Sequence, residues 1–188
     1  MKASNIPNLL TAFRIVLVAP LVLSLVRGRY DLAVALFFLA GFTDVLDGFL
    51  ARSMNWHTRL GALLDPAADK LMMFCTFVTL ASIKLVPLWL AGLVIARDLL
   101  IIGGTLGYRV FVGPFVGQAT TISKLNTGLQ LLFVLCVMAG AAFALPPAAV
   151  TVAIGAAMVL TTVISGIDYV RIGVNKARLD KGEAAHGG

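Results

Sequence analysis

Long apolar runs recur six times along the chain, separated by short polar or Gly/Pro-containing breaks. The breaks fall at Arg27-Gly28-Arg29, at 55–59, at 84–87, at Gly113-Pro114 and at Pro146-Pro147. Gly and Pro are the strongest local interrupters of helices. The runs therefore predict helices near 6–26, 31–53, 60–84, 86–111, 119–142 and 146–174. About 20 apolar residues cross a bilayer core as a helix, so the pattern predicts an all-α, polytopic membrane protein with six transmembrane helices. One membrane domain is expected over 1–174, followed by a polar cytoplasmic tail, 175–188, that frays toward Gly187-Gly188.

Composition supports this pattern. The 188 residues are 60% hydrophobic, with mean hydropathy +0.97, which leaves no length for a soluble domain. The net charge of +6 is explained by topology and anionic headgroups, and nucleic acid is not an expected partner. Cys75 and Cys136 fall inside apolar runs, against a disulfide framework or zinc site. Arg14 and Pro20 interrupt the first run and no small-residue cleavage site follows, so it reads as a retained helix rather than a leader. With the N-terminus inside, the inner segments carry Lys2, Arg52, Arg59, Arg109, Arg171, Lys176, Arg178 and Lys181, and the outer loops only Arg27, Arg29 and Lys84. This excess predicts a cytoplasmic N-terminus. The expected location is a bacterial inner membrane.

The polar exceptions are concentrated. Asp44, Asp47, Asp65 and Asp69 lie within 43–70, in a chain with nine acidic residues. A carboxylate at membrane depth costs at least about 2.5 kcal/mol, so four together call for cations. Oxygen-only anionic donors select hard divalent ions, and two Mg²⁺ or Mn²⁺ ions cancel four charges. Asp44 and Asp47 share one helix face, as do Asp65 and Asp69. The two pairs can oppose each other across antiparallel helices at the cytoplasmic face. Gly48 and Gly61 allow close approach, Pro66 frees the Ala62 carbonyl, and Arg52 can fork onto a phosphate. Such a centre suits chemistry on a diphosphate attached to a lipid.

The segment fits D-x2-D-G-x2-A-R-x8-G-x3-D-x3-D, with Asp44, Asp47, Gly48, Ala51, Arg52, Gly61, Asp65 and Asp69 at the eight fixed positions. It resembles the CDP-alcohol phosphatidyltransferase family. The resemblance runs from residue 4 to about residue 172, although only the aspartate motif is highly specific. It implies an integral membrane homodimer that moves a phosphatidyl group from CDP-diacylglycerol to an alcohol and releases CMP. It further implies that Asp44, Asp47, Asp65 and Asp69 hold two metals. Asp69 is implied to take the acceptor's proton, and Gly48, Arg52 and Gly61 to contact the cytidine diphosphate.

Other polar residues have two readings each. Thr11 and Arg14 can face the diphosphate, or Asn5 or Asn8 can cap the first helix while Arg14 snorkels. Arg97-Asp98 is either a buried self-satisfying pair or part of the acceptor site. Lys124, beside Asn126, either binds an acceptor phosphate or anchors the helix at the headgroups. Asp168 and Arg171 are expected to pair on a helix surface. Gly103 and Gly107 have a small-xxx-small spacing suited to a dimer contact. The blocks 39–44, 96–98 and 122–130 look more like CMP-forming cardiolipin synthases than phosphatidylglycerophosphate synthases. Asn126 occupies a position where the latter tend to carry a cation. Phosphatidylglycerol is therefore the favoured acceptor and glycerol 3-phosphate the alternative. A prenyltransferase also pairs aspartates on a diphosphate, but its motifs lack the Asp-Gly-x-x-Ala-Arg continuation. A divalent-cation transporter would place carboxylates nearer the bilayer midplane.

Overall fold

A computed structural model describes the backbone of residues 6–53, 61–111 and 121–186, and the side chains of 11–44, 66–105 and 121–171. The described residues form helices α1 (Ile6–Val26), α2 (Tyr30–Ser53), α3 (Gly61–Ser82), α4 (Leu88–Phe111), α5 (Thr121–Phe143) and α6 (Ala148–His186). This is the expected all-α order, with most boundaries within two residues of expectation. The exception is α6, which continues past the expected end at 174 to His186. Lys, Ala, Arg, Leu and Glu dominate that extension and are strong helix formers, so polarity alone did not predict fraying there.

Three helices are long and apolar enough to cross a membrane among the described residues, over Leu88–Thr105, Thr121–Phe143 and Ala148–Arg171. In α1 the described side chains, Thr11–Val26, form one apolar stretch. The expected count of six spans is thus supported at three helices. Arg14 in α1 and the paired aspartates in α2 and α3 belong to the candidate site. Outward faces are apolar nonetheless, with Val16, Phe38, Leu88 and Val152 exposed. Large apolar residues exposed in this number fit a hydrocarbon surround better than water.

The chain divides into two compact units. One comprises Met1–Leu88 with Val134–Thr151, the other Trp89–Phe133 with Val152–Gly188. In the first unit α1 packs on both α2 and α3. Its buried stripe runs Thr11, Arg14, Leu17/Val18, Leu21 and Ser24/Leu25, at steps of three and four. The facing stripes are Ala33, Phe37, Ala40 and Thr43 on α2, and Ala68, Met72/Met73, Thr76/Phe77 and Leu80 on α3. Small residues let the backbones approach. Thr76 and Thr79 return their hydroxyls to the carbonyls one turn earlier, so each is satisfied within its own helix.

Two sharp exits set the helix lengths. Arg29 N–H donates to the Ser24 carbonyl at 2.9 Å and Gly28 N–H to that of Leu25 at 3.1 Å, with Gly28 at φ 71°. This is the Schellman arrangement, and glycine takes its left-handed position without a Cβ penalty. Leu85 and Lys84 repeat it on the Leu80 and Ala81 carbonyls, with Lys84 at φ 63°.

Candidate functional site

The α1 stripe that buries Leu17 and Leu21 also carries Thr11 and Arg14, both fully buried. In α2, Asp44 follows Ala40 by one turn. In α3, Asp69 precedes Met72 and Met73. Packing of the apolar stripes therefore turns one cation toward two carboxylates. Arg14 Nη2 lies 2.7 Å from Asp44 Oδ1, and Arg14 Nη1 donates to Asp69 Oδ1 at 2.7 Å. The guanidinium is wholly buried, while the carboxylates keep 43% and 45% of their side-chain surface. A planar fork with donors on both arms bridges two acids from two separate nitrogens, whereas a lysine offers only one. The bridge links α1, α2 and α3 through one residue.

The sequence brought Asp44 and Asp69 into one constellation, and the structure brings them onto the same cation. It also joins Arg14 to them, which the spacing did not foretell. The side chains of Asp47, Gly48, Arg52, Gly61 and Asp65 lie outside the described residues, as do His57 and the 55–59 loop. Among the described residues no cluster of three metal-ligating side chains occurs. The two aspartates that are described still fit a divalent ion. They come from two helices that both pack on α1, retain side-chain exposure, and converge on a position that already holds a cation. Their donors are carboxylate oxygens alone, the choice of hard ions.

A separate polar centre lies in the second unit. Arg97, 5% exposed, donates from Nη1 to Asp98 Oδ1 at 2.7 Å. Its Nη2 donates to Ser123 Oγ at 2.7 Å and Ser165 Oγ at 2.6 Å. One guanidinium thus ties α4 to α5 and α6. Asn126 is fully buried, and its Oδ1 accepts from Thr161 Oγ1 at 2.8 Å and Thr162 Oγ1 at 2.9 Å. The Thr105 and Tyr169 hydroxyls are hydrogen-bonded, and the Tyr169 ring lies over Gly104. Arg97 and Asn126 were expected near an acceptor. Here both make interhelical bonds, while Lys124 is exposed in the first turn of α5. Thr161, Thr162 and Ser165 went unremarked in the sequence. Their signal was available, since Thr162 and Ser165 are polar residues three apart in an apolar helix. The expected pair of Asp168 with Arg171 does not form. At i, i+3 on a polar surface the gain is only about 0.2–0.5 kcal/mol.

The comparisons with known proteins agree with the motif. The family model for CDP-alcohol phosphatidyltransferase matches residues 4–164. The chain is 31% identical over 195 residues to the CMP-forming cardiolipin synthase of Rattus norvegicus, covering 95% of this chain and 65% of that protein. It is 35% identical over 155 residues to the Homo sapiens cardiolipin synthase (CMP-forming), covering 74% and 52%. It is 33% identical over 175 residues to a probable phosphatidylglycerophosphate synthase of Mycobacterium tuberculosis, covering 90% and 81%. The chain thus spans about half to two-thirds of the two animal proteins. Neither the transporter nor the prenyltransferase alternative finds support in these likenesses. Helices of spanning length, the aspartate motif and a match over most of the sequence place this chain in the CDP-alcohol phosphatidyltransferase family.

Proposed function

We propose that the protein transfers the phosphatidyl group of CDP-diacylglycerol to a glycerol-type alcohol, with phosphatidylglycerol as acceptor and cardiolipin and CMP as products. The observation that carries the reading is the convergence of Asp44 and Asp69, from two helices, on one buried cationic position. Asp44, Asp47, Asp65 and Asp69 would hold two Mg²⁺ or Mn²⁺ ions, which supply neutralisation of the diphosphate and a better leaving group. Arg14 limits the repulsion between Asp44 and Asp69 and fixes their rotamers. Asp69 accepts the proton of the acceptor hydroxyl as its oxygen bonds to the phosphatidyl phosphorus. The bond from that phosphorus to the CMP oxygen breaks, and CMP departs with the electron pair. Proton transfer of this kind contributes about 10²–10⁴-fold, and positioning of hydroxyl and phosphorus supplies much of the rest. Gly48, Arg52 and Gly61 are assigned to the cytidine diphosphate and Lys124 to the acceptor, while Thr11 and Arg14, fully buried, would reach the diphosphate only by leaving their present packing. The active face is cytoplasmic, and the protein acts as a homodimer.

The acceptor choice is supported by Asn126. It is neutral and already engaged by Thr161 and Thr162, so position 126 offers no cation to a phosphate monoester. A second reading, glycerol 3-phosphate as acceptor, is favoured by the likeness to the mycobacterial protein over 90% of this chain. The deciding experiment incubates purified protein with CDP-diacylglycerol and both acceptors, with Mg²⁺ or Mn²⁺ and again with excess chelator. Lipid products are then identified by mass spectrometry. Cardiolipin with CMP, lost on chelation and restored by metal, is expected. Phosphatidylglycerophosphate alone rejects the acceptor and keeps the reaction class. Full turnover in chelator rejects the two-metal centre.

A further inference from the structure

The second unit has a cavity of about 470 Å³ between α4 and α6, within the usual range of roughly 300–1,000 Å³ for small-molecule sites. Leu93, Ala96 and Leu100 line one wall, and Val163, Gly166 and Ile167 the other. Arg97 also lines it. That residue is nine-tenths buried, and its Nε has no hydrogen-bond partner among the described residues. At the other end of the lining stands Arg171, exposed and without an ion pair among the described residues.

We propose that this groove holds one acyl chain of an anionic phospholipid whose phosphate pairs with Arg171. Both walls belong to helices of membrane-spanning character, so the medium against the groove is hydrocarbon. The lining on α6 runs from Thr162 to Arg171. Nine steps at about 1.5 Å make about 13.5 Å, close to the depth of one leaflet, half of the ~30 Å hydrocarbon core. Arg171 ends the apolar window Ala148–Arg171, where a basic residue meets headgroups. An apolar slot one leaflet deep that closes on a free cation matches a chain with an anionic head. Gly166 faces open space in the slot, since a Cβ built there meets nothing within 4 Å. The inference concerns binding within this unit and does not rest on the transfer reaction.

The test uses the full chain in nanodiscs of phosphatidylcholine doped with phosphatidylglycerol carrying a diazirine in mid-chain. After illumination, labelled peptides are mapped. Label should concentrate on 93–100 and 162–170, and unlabelled phosphatidylglycerol should compete better than phosphatidylcholine. Gly166→Phe should cut that label about tenfold, while Gly166→Ala, which fits the open space, should leave it unchanged and control for folding. Arg171→Gln should lower the preference for phosphatidylglycerol about fivefold, the equivalent of ~1 kcal/mol for one basic residue at an anionic surface. Label spread over all lipid-facing helices in proportion to exposure overturns the proposal. So does a groove left unlabelled because a second copy covers it, or labelling indifferent to both Gly166→Phe and Arg171→Gln.

Discussion

Arg14→Met removes the cation from the carboxylate bridge while keeping most of the side chain's apolar stem. Among the described residues the native guanidinium makes two contacts of 2.7 Å, one to Asp44 and one to Asp69. Losing a hydrogen bond to a charged group costs about 1.5–3 kcal/mol, so two cost roughly 3–6 kcal/mol. The carboxylates keep 43% and 45% of their surface, so solvent returns part of this. The expected loss is therefore at the lower end, about 3 kcal/mol. For a chain of this length that corresponds to a melting temperature lower by about 6–12 °C. Arg14→Lys keeps the charge but offers one nitrogen in place of two, and should lose about half as much.

The assay is thermal unfolding in detergent micelles, followed by tryptophan fluorescence, first in chelator and then with Mg²⁺ or Mn²⁺. On the proposed two-metal reading, divalent ions seated between the same carboxylates would replace the missing charge. Metal should therefore raise the melting temperature of Arg14→Met more than that of the native protein, by the linkage of binding to stability. A variant that melts within about 2 °C of native in chelator, less than 1 kcal/mol by the same scaling, refutes the energetic role given to the bridge. A loss of the expected size that metal does not relieve refutes the seating of a divalent ion at Asp44 and Asp69.

Asp69→Asn should lower kcat by about 10²–10⁴ and keep measurable CDP-diacylglycerol binding; a rate above about a tenth of native removes the proton-acceptor role. Lys124→Gln should raise KM for phosphatidylglycerol, or lower kcat/KM, by about one to two orders of magnitude, the scale of a charge-assisted hydrogen bond; an unchanged acceptor KM returns Lys124 to headgroup anchoring. Gly155→Ala should destabilise by about 1–3 kcal/mol, because the new Cβ falls 2.8 Å from Phe133 Cε2, on a ring that is itself buried. Unfolding of that variant at the native midpoint would show that the ring yields freely.

The element order was legible because apolar runs and Gly/Pro breaks act locally. Helix α6 was the exception. Its extension to His186 follows from propensity in a polar segment, which the apolar pattern does not record. Asp44 and Asp69 were legible as members of one constellation, because the spacing sets Asp44 with Asp47 on one helix face and Asp65 with Asp69 on another. Arg14 was legible as polar and near the helix start, but not as their bridge. Periodicity gives the face of α1 and is silent on which neighbours meet it. For the same reason the partners of Arg97 were hidden. Asp98 adjoins it in sequence, whereas Ser123 and Ser165 are 26 and 68 residues away.

Asn126 shows how burial changes the weight of a sequence argument about specificity. From the sequence, a neutral residue at 126 mattered as a missing cation beside Lys124. In the structure its Oδ1 already accepts two threonine hydroxyls from α6, and the residue is fully buried. A lysine introduced at 126 would have to break those bonds or carry its charge into the interhelical contact, where an unpaired charge is costly. Asn126→Lys therefore tests packing before it tests acceptor choice. Lys124, exposed two residues earlier, can lose its charge without disturbing α6. The acceptor question is better put to Lys124, and a change in KM without a change in melting temperature is the result that assigns it to the acceptor.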